Sequence, residues 1–210
     1  RLKTSSLYCT MVLIVIFDDL DQLLAIKWYR RFKIARILLG KVCNLDGGGA
    51  LIQVSEIIIY IRTGQGWLYL AVVVELFSRK IISWTFSDKP NSELTTRALR
   101  LAMNKRNPTD NVLFHSDQGV QYTSESFQCC LREHGVICSM AEGNCWDNAV
   151  TERFLRSLKS ERVHRRYQTR SETIADIIDY IEPFYNQIRR HSKLGNISPA
   201  EYEENYLKTA

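Results

Sequence analysis

Three apolar, β-branched runs decide the fold: Val54-Ser55-Glu56-Ile57-Ile58-Ile59-Tyr60-Ile61, Trp67-Leu68-Tyr69-Leu70-Ala71-Val72-Val73-Val74-Glu75 and Lys80-Ile81-Ile82-Ser83-Trp84-Thr85-Phe86. Each has the length of a strand, and the gaps between them, Arg62 to Gly66 and Leu76 to Arg79, are hairpin-sized. Downstream, Leu94, Ala98, Leu101 and Ala102 recur at helical spacing within Asn91 to Lys105, with Asn91 or Ser92 able to cap the helix. Val112 to His115 reads as a short buried strand, Ser124 to His134 as a helix ended by Gly135, and Val136 to Met140 as a fifth strand. Asp147 to Arg165 and Ser171 to Arg190 read as two long C-terminal helices. The order β-β-β-α-β-α-β-α-α predicts an α/β fold: a mixed five-stranded sheet flanked by helices.

Upstream of Leu51 the pattern changes. Residues 1–50 hold a short apolar run, a mixed basic stretch from Lys27 to Lys41 and the triplet Gly47-Gly48-Gly49, with no sustained helical or strand period. The glycines predict a boundary between a divergent, poorly ordered segment at 1–50 and a core with a helical tail at 51–210. The chain begins with Arg1 and its first methionine is Met11, which reads as a truncated or misframed start.

With 210 residues, 45% of them apolar and 24% charged, the chain can bury one ordinary core. Its long apolar runs, Met11 to Phe17 and Trp67 to Val74, fall far short of the about 20 residues of a spanning helix, so no membrane partner is expected. No signal peptide follows Arg1-Leu2-Lys3, and the default location is a reducing cytoplasm. The cysteines Cys9, Cys43, Cys129, Cys130, Cys138 and Cys145 form no Cys-x-x-Cys pair, which argues against structural zinc, and Cys129 and Cys130 read as small apolar filler.

The formal charge is +5. Arg153, Arg156, Lys159, Arg162, Arg165, Arg166 and Arg170, against Glu152 and Glu161, make one local stripe that equals this whole excess. Such a stripe points to a polyanion, with a solvated helix face as the plain alternative. At about 100° per residue, Asn148, Glu152, Arg156 and Lys159 share one helix face and Val150, Phe154 and Leu158 the opposite one. An ion pair from Glu152 to Arg156 would account for part of that face. Asp117 directly follows the strand ending at His115-Ser116, with Gly119 nearby, where a metal-binding carboxylate or a turn-capping Asp are both at home.

Three sets of residues then resemble one family: Phe114-His115-Ser116-Asp117-Gln118-Gly119-Val120-Gln121-Tyr122-Thr123-Ser124; Gly143-Asn144-Cys145-Trp146-Asp147-Asn148-Ala149; and Glu152-Arg153-Phe154 with Leu158-Lys159. They are similar to bacterial insertion-sequence transposases with a retroviral-integrase-like core. Gly66 to Val74, Leu76-Phe77-Ser78-Arg79-Lys80, Phe184-Tyr185-Asn186, Arg190-His191-Ser192 and Ser198-Pro199-Ala200-Glu201-Tyr202 match the same pattern, which runs from about Val54 to Tyr206. The resemblance implies a ribonuclease-H-like fold and three acids holding two divalent metals, Mg²⁺ or Mn²⁺, for DNA strand cleavage and transfer. Asp117 matches the second acid and Glu152 the third, and both would be catalytic residues and metal ligands. Lys159 matches a basic DNA contact, and Arg153, Arg156, Asn148 and Arg162 extend that surface. The partner implied is DNA, both element ends and target, held by a homo-oligomer when active.

The chain departs from the pattern in three places. The spacing from Asp117 to Glu152 is one residue short, a loss that falls in Ala141-Glu142-Gly143. The first acid falls on Glu56 when read from Val54-Ser55 but on Ile57 when read back from Tyr60-Ile61-Arg62-Thr63, so one residue is extra. Glu56 joins the catalytic and metal set only if a bulge absorbs it, because a one-residue slip sends a side chain to the other face. The segment 1–50 does not resemble the helical DNA-binding region expected before this core. Glu75 reads as a strand-end charge and Trp146 as loop packing. The rival readings are a catalytically impaired remnant that still binds nucleic acid, and a hydrolytic nuclease of the same fold.

Overall fold

The computed structural model describes residues 52–108, 111–140, 149–163 and 166–209. The boundary and segment read at 1–50, the Gly143 to Asn148 loop and Trp146 lie outside the described residues. Five strands, β1 (Ile52–Thr63), β2 (Gly66–Glu75), β3 (Ile81–Ser87), β4 (Val112–Ser116) and β5 (Ile137–Met140), form one sheet in the order β3-β2-β1-β4-β5. β1, β2 and β3 are antiparallel neighbours, while β4 pairs parallel with both β1 and β5. The helices are α1 (Ser92–Arg106), α2 (Val120–Thr123), α3 (Glu125–Glu133), α4 (Ala149–Glu161), α5 (Arg170–Asp179) and α6 (Pro199–Thr209). None of the described helices is long and apolar enough to cross a membrane.

The sheet is covered on both sides. Val54, Ala71, Val73 and Phe114 pack one face against Leu94, Ala98 and Leu99 of α1 and Phe127 and Leu131 of α3. The opposite face, with Ile59, Ile61, Leu70 and Val72, meets Phe154 and Leu158 of α4, Ile177 of α5, and Tyr180, Ile181 and Tyr185 beyond it. Successive strand side chains point to opposite faces, so β1 divides its even and odd positions between two separate cores.

Local chemistry sets the ends. The Asn91 side chain accepts from the Leu94 N–H at 3.2 Å and caps α1, and Ser124 caps α3 in the same way. Gly64, at the tip of the β1–β2 hairpin, admits no side chain, since a Cβ there would come within 2.6 Å of the Gln168 carbonyl oxygen. The Gly64 N–H donates to Tyr167 O at 2.9 Å, fastening the hairpin to the segment after α4.

The C-terminal part differs from the expected single helix over 171–190. α5 ends at Asp179 and the chain continues as a π-helical segment, Tyr180–Asn186, containing Pro183. Proline lacks the N–H that an α-helix interior requires, and a widened turn accommodates it. A further helix, α6, follows where the sequence reading had only a motif. Pro199 opens it, at a position where a missing N–H costs nothing. Phe77 packs its ring against Tyr202 and Tyr206 of α6, at 5.2 and 4.8 Å between centroids. Glu203 pairs with Lys80 and Arg106, and Arg106 also holds Glu75 at 2.9 Å. Glu75 is thus the strand-end charge the sequence reading made it.

Asn186 explains one of the tail motifs. Its Oδ1 accepts from the Ile81 N–H at 2.9 Å and its Nδ2 donates to the Ile81 carbonyl at 3.0 Å, all in a buried setting. One side-chain amide therefore pairs the backbone at the start of edge strand β3 as a neighbouring strand would. Asn186→Ala should leave both Ile81 groups unsatisfied and cost roughly 2–4 kcal/mol, read as a lowered midpoint in denaturant unfolding at unchanged slope.

Candidate functional site

Asp117 lies one residue past β4 and is exposed. Its Oδ1 accepts from the Gly119 N–H at 2.8 Å, so the turn-capping role is real. A carboxylate has two oxygens and about four lone-pair sites, so that bond leaves capacity for a cation. Glu152 stands in the first turn of α4 and is also exposed.

α4 has two unlike faces because Thr151, Phe154, Ser157 and Leu158 are buried against the sheet. Glu152, Arg153, Arg156 and Lys159 are all exposed on the remaining surface. The Glu152–Arg156 ion pair weighed from the sequence is not among those formed by the described residues. Arg162 is differently employed. Its guanidinium reaches Asp176 and Asp179, each at 3.3 Å, and lies 5.9 Å from the Tyr180 ring centre, so its charge is spent joining α4 to α5. Asn148 lies outside the described residues.

Glu56 is 1% exposed, and neither of its oxygens makes a hydrogen bond within the described structure. Burial first, and Asp117 second, push its carboxyl well above the ordinary range. The bulge that would carry it to the α4 side is absent from β1. Pairing with β2 runs unbroken from Val54 opposite Glu75 to Thr63 opposite Gly66, and the irregularity nearby falls between β2 and β3 at Val73/Val74. Glu56 pairs with Val73, a member of the core under α1 and α3, and lies between Val54 and Ile58, which pack on that same core. Ile57, by contrast, packs against the cluster that contains Phe154 and Leu158, on the α4 side. The Glu56 carboxyl therefore faces away from the helix that carries Glu152.

Two neighbours of Glu56 were not singled out from the sequence. The Tyr122 hydroxyl and Ser116 Oγ are likewise buried and unpartnered among the described residues. Burial, then Glu56, then Asp117 raise the Tyr122 phenol well above its usual value. Ser116 follows His115, which pairs with Ser55, the residue before Glu56, in the last pair of the parallel β1–β4 ladder. The sequence carried no period that would flag this buried polar group. Elsewhere, Cys130, Glu133 and His134 bring possible ligand atoms within 4.8 Å of one another, but the Arg100 guanidinium already lies 3.7 Å from Glu133.

A mixed sheet with one acid past β4, another on a helix packed across one face of β1, and cations along that helix is the arrangement of a ribonuclease-H-like core. Two family models, each described as an integrase core domain, match residues 52–145 and 152–207. Transposase InsF for insertion sequence IS3A of Escherichia coli (strain K12) is 43% identical over 152 residues, covering 71% of this chain and 53% of that protein. An insertion element IS600 uncharacterized 31 kDa protein of Shigella sonnei is 40% identical over 153 residues, covering 72% of this chain and 56% of that protein. Among solved structures, the HTLV-2 integrase catalytic core domain in complex with magnesium, in its trimeric form, superposes with a TM-score of 0.52 at 15% identity, covering 74% of this chain and 99% of that one. The chain belongs to the integrase-core family, on the side of the bacterial insertion-sequence transposases. It spans about half the length of the curated relatives it matches.

The state of Glu56 sets a pH dependence. An unfolded glutamate ionises near about pH 4.3, whereas in the folded chain its pKa is raised. Below the unfolded value both states are neutral and nothing is lost. Above it the folded state holds the extra proton, so stability falls as pH rises toward the folded pKa. The stability difference between Glu56→Gln and the parent should be small at about pH 4 and grow in favour of the variant toward pH 8, measured by denaturant unfolding. A flat difference would mean that Glu56 ionises as in solvent.

Proposed function

We propose that this chain is the DNA-acting core of an insertion-sequence transposase, working on phosphodiester bonds in transposition. The observation that carries the reading is the two-sided α4: Phe154 and Leu158 lock the helix to the sheet, which presents Glu152, Arg153, Arg156 and Lys159 together to solvent. The transposase relatives support the substrate class. The magnesium of the HTLV-2 integrase core supports a divalent cation, Mg²⁺ or Mn²⁺.

Asp117 and Glu152 are the carboxylates we assign to that cation. When bound, such an ion polarises a phosphoryl oxygen and lowers the pKa of water. The Gly119 N–H fixes the rotation of the Asp117 carboxylate, and the packed face of α4 fixes the position of Glu152. Lys159, two turns beyond Glu152, and Arg156 between them neutralise backbone phosphates and orient the strand. Arg153 extends that surface. Holding two DNA ends together requires at least two copies of the chain.

DNA affinity should fall steeply with salt. Lys159→Ala should weaken binding to all sequences alike and reduce the slope of log K against log salt by about one, in fluorescence anisotropy across a salt series. An unchanged slope would remove Lys159 from the interface, and binding indifferent to salt would overturn the assignment of this face to DNA.

A further inference from the structure

We infer that the first metal-ligand place of this core is occupied by Ile57, so that the chain holds one divalent ion through Asp117 and Glu152 instead of an ion pair. The inference rests on the reading of those two acids given above and concerns what this particular chain has lost. A two-ion site needs a carboxylate on β1 that converges with one past β4 and one on the covering helix, because each ion must be bridged or flanked from more than one side.

The parallel ladder identifies the place. β1 and β4 pair from Ile52 with Val112 to Ser55 with His115. The ladder ends there, two residues before Ile57 on β1 and two before Asp117 on the segment after β4. Ile57 faces the layer of α4, where it packs against the cluster containing Phe154 and Leu158. The β1 side chain next to Glu56 that faces the α4 layer is thus a hydrocarbon with no lone pair to offer.

The acid one position earlier cannot substitute. The unbroken β1–β2 register commits Glu56 to the face of Val54, Ile58 and Val73, under α1 and α3. Reaching the α4 side would require slipping β1 by one residue against β2, whose ladder runs unbroken past Glu56 and Val73. That would flip every neighbour out of its core. Its surroundings there are the buried Tyr122 phenol and the low-dielectric core, which accept a neutral acid more readily than a charged ligand.

Ion counting separates the possibilities. Mn²⁺ bound to the full chain is measured by electron paramagnetic resonance, alongside Glu56→Gln, Asp117→Asn, Ile57→Asp, and a variant with Ile57 deleted and Glu56→Asp. Circular dichroism and DNA affinity report whether each variant folds. We expect one ion per chain in the parent, the same number in Glu56→Gln, loss of that ion in Asp117→Asn, and a second ion in the Ile57→Asp or deletion variant. Two ions in the parent, with one lost in Glu56→Gln, would overturn the inference while leaving the Asp117 and Glu152 reading intact. Ion counts unchanged by Asp117→Asn would overturn that reading and the inference with it, as would a complete absence of binding in every folded protein. The parent and Glu56→Gln arms decide the matter even if both gain-of-ligand variants fail to fold.

Discussion

Every functional feature of this core depends on β1 being covered on both faces from Val54 to Ile59. A strand with one solvated face can slip or bulge at modest cost, because half its side chains have no fixed partner. β1 is hydrogen-bonded to β2 on one edge and β4 on the other, and its alternating side chains fill two different apolar layers. Moving any residue by one position exchanges those layers. The period of two therefore assigns Glu56 to one core and Ile57 to the other, and local preference of a carboxylate for a cation cannot reverse it.

The same two-layer logic produces the exposed surface. α4 is oriented by what it buries, and its polar residues face outward as a consequence. The C-terminal segment then fixes that helix from behind. Arg162 binds Asp176 and Asp179. Glu161 receives Arg189 at 2.7 Å and the Tyr180 hydroxyl at 2.8 Å. Burial and the neighbouring Arg189 and Arg79 hold His191 in this region down to about 4, so it stays neutral near pH 7 and adds no charge to the basic side of the molecule. Asn186 and α6 fasten the tail to β3 and its preceding loop. The tail motifs are thus largely packing devices that tie the C-terminal segment to β3, to the loop before it and, through Tyr185 on Phe154, to α4.

Much of this was legible in the sequence. The three β-branched runs, the Asn91 and Ser124 caps and the opposed faces of α4 follow from periods and capping chemistry that act over a few residues. The break at Tyr180–Asn186 was signalled by Pro183, yet helical spacing on either side hid it, since a π-turn preserves the apolar face approximately. Arg162 belonged to the basic stripe by position, but the acids that engage it lie on another helix, beyond any local pattern. Glu56 posed the hardest case. Counting from either end of the strand gave two different residues for one place, and only pairing with Val73 and Val72 of β2 shows which face each takes. Tyr122 comes near Glu56 through tertiary packing alone.

The central claim is that the β1 carboxyl lies outside the cation site. Carbon-13 NMR of the full chain labelled in Asp and Glu side chains, titrated with Mg²⁺, tests it directly, since a carboxyl carbon shifts when its oxygens bind a cation. The account requires the Asp117 and Glu152 signals to move together while the Glu56 signal stays in place. A Glu56 signal that moves with them, at the same Mg²⁺ concentration, would contradict it.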